Sequence, residues 1–188
     1  MTDARDATPP DILSFWRDAG RDRWYRRDDA FDAQVRGRYL ALWRKAAAGG
    51  LTSWEASDDG ALALTIVLDQ FPRNMFRDDV LTYSTDPLAR EVAGRAIDRG
   101  VGARIDPVLR EFLYMPFMHS EEMPDQLRCI ELFRAAENSE NLVYAERHAD
   151  IIRRFGRFPH RNRILGRQTT PEEQAFLDAG GFSGVTEQ

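Results

Sequence analysis

The sequence holds a single cysteine, Cys129, which excludes an intrachain disulfide and any zinc site built from several cysteines. Lysine is almost as scarce: Lys45 is the one lysine among 26 basic residues. Such a bias follows from a GC-rich genome and is not in itself evidence of function. Long apolar runs are missing as well, and the stretch at 112–118 is far too short to span a bilayer. The first ten residues contain no apolar segment of the kind that opens a secretory signal, so the cytoplasm is the expected location. No His-x-x-x-His or His-Glu-x-x-His spacing occurs, which argues against a metal site, and no cofactor is expected. Ser120 lacks the Gly-x-Ser-x-Gly setting of a hydrolase nucleophile. A net charge of −5, with no RNP, KH or zinc pattern, argues against nucleic acid as a partner. No repeat period near 34 residues is visible.

What is present is an ordinary globular composition, 43% hydrophobic against 30% charged, enough to bury a core in one domain. A single domain over 1–188 is expected, with residues 1–7 and 183–188 as flexible ends. Helix signals begin at Thr8-Pro9-Pro10, which suits an N-cap with proline in the first turn. The spacing predicts helices over 11–19, closed by Gly20, and over 29–48, closed by Gly49-Gly50. Residues 61–68 are apolar all round apart from Thr65 and read as a buried central helix, ended by Pro72. Thr85-Asp86-Pro87 opens another helix, Asp106-Pro107 one over 108–114, and Pro116 predicts a kink or restart. Ser120 could cap the next helix. Asn138 or Ser139 opens the one after it, Gly156 stops that one, and Thr170-Pro171-Glu172-Glu173 is a capping box for a last short helix. The count is about eight helices and no convincing strand, an all-α fold of antiparallel helix pairs.

Three segments gather the groups able to do chemistry. Phe71-Pro-Arg-Asn74 and Phe158-Pro-His-Arg-Asn162 echo each other, and each projects Arg and Asn donors beside a proline. That combination suits a carboxylate or phosphate, or else the open carbonyls that every helix end leaves. The third, Met115-Pro-Phe-Met-His-Ser-Glu121, brings His119 and Glu121 to a helix junction. We expect the three to converge, with His119, His160 and Glu121 as catalytic acid/base candidates. Asp69, Arg73, Asn74, Arg157, Arg161 and Asn162 are the ligand-binding candidates. Asp69 needs a cationic partner so near a helix end, and Arg73 is the nearest. Residues 147–167 hold seven arginines and one acid, Asp150, which reads as a solvated face or as a funnel for an anion. His148, between Tyr144 and Ile152 on an apolar face, reads as a structural histidine, and Cys129 as core.

Several long motifs carry a family resemblance. Leu68-Asp-Gln-Phe-Pro-Arg-Asn74, Thr85-Asp-Pro-Leu-Ala-Arg90, Phe112-Leu-Tyr-Met-Pro-Phe-Met-His-Ser-Glu121, Glu140-Asn-Leu142 with His148, and Arg154-Phe-Gly-Arg-Phe-Pro-His-Arg-Asn162 together resemble the bacterial DUF924 family. Leu165-Gly-Arg167, Thr170-Pro-Glu-Glu173 and Gly180-Gly-Phe182 fit it too, so the resemblance covers nearly the whole chain. It implies an all-α, tetratricopeptide-like fold and brings no established reaction. Two classes of function follow. One is a pocket binding a small anionic ligand, phosphate- or carboxylate-bearing, with histidine acid/base chemistry. The other is a helical interaction module for a peptide or protein, without catalysis. The sequence fixes neither the substrate nor the oligomeric state.

Overall fold

The structure, a computed structural model, describes residues 7–181. Among them are eight α-helices and no strand, so the fold is all-α. The helices are α1 (Pro9–Tyr25), α2 (Asp29–Ala47), α3 (Asp58–Met75), α4 (Asp86–Asp98), α5 (Glu111–Met118), α6 (Met123–Ala135), α7 (Ser139–Phe155) and α8 (Pro171–Asp178). Short 3-10 turns fill several connections, among them Thr52–Ala56, Val80–Tyr83 and Pro159–Arg161. No described helix is long and apolar enough to cross a membrane. The ends expected to be flexible lie outside the described residues, apart from Ala7, which packs on the core.

Helix α3 is the axis. Ser57 caps it by accepting from the Gly60 N–H at 3.1 Å, and from Gly60 to Met75 only Arg73 is not fully buried. A helix apolar on every side needs neighbours on every side. Helices α1, α2, α4 and α5 supply them. Aromatic rings lock the packing: Phe71 lies 5.0 Å from Tyr39 and 5.8 Å from Trp16, which in turn meets Phe112 edge-on at 5.5 Å. Gly60 lets the turn Thr52–Ala56 cross tightly, since a Cβ there would sit 2.0 Å from the Trp54 carbonyl oxygen.

Three boundaries differ from the sequence reading. Pro72 does not end α3, which runs on to Met75. A proline inside a helix leaves the carbonyl four residues back without its donor. Here the Thr85 hydroxyl donates to that carbonyl, Leu68 O, at 2.6 Å, so the helix survives its proline. Pro116 likewise lies inside α5, which begins at Glu111 rather than at 108 because Asp106 holds the preceding residues in a turn by accepting from the Val108 N–H. Within α1 the first helical segment does break at Gly20, as read, the glycine taking the non-helical φ 69° and ψ 171°, and a second segment over 21–25 leaves the axis of the first. Ser120 sits before the N-cap of α6 and instead accepts from the Glu122 N–H while donating to Asp125.

After Gly156 ends α7 in a left-handed turn, the chain forms a strap that doubles back over the α5–α6 junction. Phe158 is fully buried with Ile151 and Ile152. Glu173 of α8 closes the strap, accepting both arms of Arg157 at 2.6 and 2.9 Å and the Asn162 amide at 3.1 Å. Arg157 first, and then the Thr170 N–H at 2.8 Å, pull the Glu173 carboxyl down to about 2.

Candidate functional site

A cavity of about 510 Å³ opens where the C-terminal ends of α3 and α5 meet α7, the strap and the bent end of α1. Each helix contributes one stripe at helical spacing. From α3 come Gln70, Arg73 and Asn74, followed by Arg77; from α5 Met115 and Met118, followed by His119; from α7 Asn141, Tyr144 and His148. The strap adds His160, Arg161, Arg163 and Ile164, and the segment past Gly20 adds Arg21, Trp24 and Tyr25.

The innermost feature is a carboxylate–imidazole pair. Asp69 is fully buried, and its Oδ1 lies 2.8 Å from His119 Nδ1 and 3.3 Å from Arg73 Nη1. Its Oδ2 accepts from the Gln70 amide at 2.5 Å. Burial alone would raise this carboxyl, but Arg73, His119 and Gln70 outweigh it and hold it at about 2, so it is ionised. An ionised carboxylate only accepts, which places the proton on Nδ1 of His119 and leaves a lone pair on Nε2. Burial and the nearby Arg73 lower the imidazole's pKa against the pull of Asp69. His119 is therefore a neutral base of fixed tautomer at the cavity wall.

A second carboxylate organises the cations. Asp86 takes Arg73 in a two-pronged pair at 2.9 and 3.0 Å, and Arg161 approaches it at 3.7 Å. Arg161 is nearly buried, lies 4.5 Å from the centres of both the Tyr83 and Phe158 rings, and donates to the His119 carbonyl at 3.0 Å. That last bond closes an open carbonyl at the end of α5 and ties the strap to the base. His148 donates from Nδ1 to Tyr144 O at 2.7 Å, while burial lowers its pKa to about 3. His160, lowered to about 3 by burial and by Arg161, is neutral as well. Further out, Asp32 receives Arg77 through both oxygens and Asn74 at 2.7 Å. Glu111, also buried, accepts from the Tyr25 hydroxyl at 2.5 Å and from Asn141.

Of the residues singled out in the sequence, Arg73, Asn74, His119, His160 and Arg161 line the cavity, and Asp69 stands directly behind His119. Glu121, Arg157 and Asn162 do not line it. Glu121 accepts both arms of Arg167, at 2.9 and 2.7 Å, and the Phe158 N–H at 2.9 Å, so its oxygens are committed to the strap. Arg157 and Asn162 are held by Glu173. Cys129 is core, and burial pushes its thiol pKa up. Sequence reasoning passed over Gln70, Tyr83, Asp86 and Asn141 as site residues; His148, read as structural, is buried and bonded to the Tyr144 carbonyl while one edge lines the cavity. The signal for Gln70 was available: 70, 73 and 74 are polar at helical spacing on an otherwise apolar helix. Among the described residues no group of His, Cys, Asp or Glu is arranged to hold a metal ion.

Comparison with known proteins gives a family and no activity. A family model described as a bacterial protein of unknown function (DUF924) matches residues 12–181. Among solved structures, a protein of unknown function from Agrobacterium tumefaciens is similar, with a TM-score of 0.88 and 45% sequence identity. That match covers 92% of this chain and 97% of the other. No curated protein matches.

Proposed function

The chain belongs to the DUF924 family of bacterial proteins, and from the geometry of its cavity we propose that it binds a small anionic ligand there and moves a proton on it through His119. The observation that carries this reading is the Asp69–His119 pair. A fully buried, ionised carboxylate fixes the imidazole tautomer and would stabilise the imidazolium formed when Nε2 takes a proton. The cavity-lining Arg21 and Arg163 are bonded to exposed acids at the rim, Glu140 and Asp78, and such exchangeable guanidinium groups favour a phosphate or carboxylate on the ligand. The reaction class this supports is proton abstraction from an O–H, N–H or activated C–H, with no covalent step, since the one cysteine is core and Ser120 is bonded elsewhere. The test is a thermal-shift screen of phosphorylated and carboxylated metabolites against the wild type and His119→Gln. A ligand present at 100 times its dissociation constant adds about 2.7 kcal/mol, a clear rise in Tm. A screen in which no anionic compound stabilises the wild type removes the proposal.

A further inference from the structure

We infer that the ligand is two-ended, its anionic group held at the cavity mouth by Arg21 and Arg163 and an uncharged O–H or N–H end presented to His119 at the floor. The inference rests on the reading of this cavity as a site for a small anion, and it assigns which arginines serve that anion.

The floor has no positive charge to offer. Its two guanidinium groups, Arg73 and Arg161, face two carboxylates, Asp69 and Asp86, and the histidines there are neutral. Arg73 is 20% exposed and Arg161 8%, so neither can leave its partner without stranding a buried charge. An anion at the floor would also meet the lone pair of His119 Nε2 and the buried charge of Asp69 behind it. A lone pair calls for an O–H or N–H, and the Gln70 amide beside it suits a neutral polar group equally.

The mouth differs in the strength of its pairs. Arg21 is 50% exposed and bonded at 2.6 Å to Glu140, itself 63% exposed, while the buried Glu111, already held by Tyr25 and Asn141, lies a longer 3.9 Å away. Arg163 is 79% exposed and bonded to Asp78, which is 60% exposed. Exposed ion pairs are weak and screened by salt, so a ligand phosphate or carboxylate can draw both guanidinium groups away from their acids. A backbone bend lies beside each pair: Gly20, at φ 69°, precedes Arg21, and Asp78, which accepts from Arg163, has a left-handed φ of 63°. Between mouth and floor, Trp24, Met115, Met118 and Ile164 give an apolar wall, so the ligand's middle is aromatic or aliphatic. The class is a carboxylate or phosphate monoester with an apolar spacer and a hydroxyl or amide N–H at its far end.

The test is calorimetric binding with matched triads such as 4-hydroxyphenylacetate, phenylacetate and 2-(4-hydroxyphenyl)ethanol, run alongside aryl phosphates bearing or lacking a second hydroxyl. The Arg21→Ala/Arg163→Ala double variant should bind the anionic compounds about tenfold or more weakly, the scale of losing charge-assisted hydrogen bonds, while the neutral alcohol is unaffected. In the wild type that advantage of the anion should shrink with added salt. His119→Gln should keep the anion's contribution and lose the preference for the hydroxylated member. Anionic compounds that bind the double variant as tightly as the wild type overturn this inference and leave the anion-binding reading standing. No binding by any anionic compound to the wild type overturns that reading, and the two-ended ligand with it.

Discussion

Phe71-Pro-Arg-Asn74 and Phe158-Pro-His-Arg-Asn162 share nearly the same letters and take opposite backbones. In the first, Pro72 is the interior of a continuous helix, its missing N–H replaced by the Thr85 hydroxyl. In the second, Phe158 is extended and Pro159 opens a 3-10 turn, as a proline usually does after an extended residue. Each phenylalanine is fully buried, and each asparagine is held by an acid, Asp32 for Asn74 and Glu173 for Asn162. The two arginines meet at one carboxylate, Asp86. The lesson is that the short motif fixes what is anchored and what is donated. The backbone between is decided by whether another element can supply the hydrogen bond that proline lacks.

The comparison breaks most severely at the shared carboxylate. Asp86→Ala removes the carboxylate of the buried Arg161 and the two-pronged one of Arg73's two acids, and stranding buried charge in this way typically costs about 3–5 kcal/mol. Urea denaturation should show that loss; one below about 0.5 kcal/mol would mean the pairing contributes only as an exposed one does. Next comes the proline substitute. Thr85→Val leaves the buried Leu68 carbonyl without a donor and should cost about 1–3 kcal/mol. In a Pro72→Ala background the backbone N–H returns, so the same change should cost clearly less, and additive losses in that cycle would refute the substitution of one donor for the other.

Acid should act on the strap side more than on α3. His148 and His160 titrate near 3 in the folded chain, both lowered first by burial, against about 6.5 when unfolded. Between those values the unfolded chain binds more protons, so stability rises with pH and falls as pH drops below about 6.5. His119, lowered as well, adds in the same direction. For each fully titrating histidine the slope is about 1.4 kcal/mol per pH unit, and His148→Gln or His160→Gln should flatten it. A pH-independent midpoint from about 6 to 4 would contradict the burial of these rings. The smallest effect belongs to the mouth. Arg163→Ala removes an exposed pair with Asp78 and should change stability by no more than about 0.5 kcal/mol.

Much of the helical layout is legible in the sequence because its signals are local. Thr170 with Glu173, and Gly156 after α7, act as read. The bounds failed where a distant residue decides: Pro72 is rescued by Thr85 across another turn. The same holds for the site. Asp69, Arg73 and His119 were visible as polar groups set against apolar runs. Asp86 was hidden because Thr85-Asp86-Pro87 reads fully as a helix start, and its second use, receiving two arginines from 13 and 75 positions away, exists only in three dimensions. Glu121 drew attention by standing beside His119, yet adjacent residues past a helix end point apart, and its oxygens face Arg167.

The central claim is that His119, kept neutral by burial and Arg73, has its proton fixed on Nδ1 by Asp69, with Nε2 available to a ligand. Nitrogen-15 NMR of the imidazole rings tests it most directly, with His119→Gln to assign the signals. At pH 7 the account predicts a neutral His119 with its proton on Nδ1, and Asp69→Asn should abolish that single-tautomer pattern. A His119 that carries its proton on Nε2, or that is an imidazolium at pH 7, would contradict it.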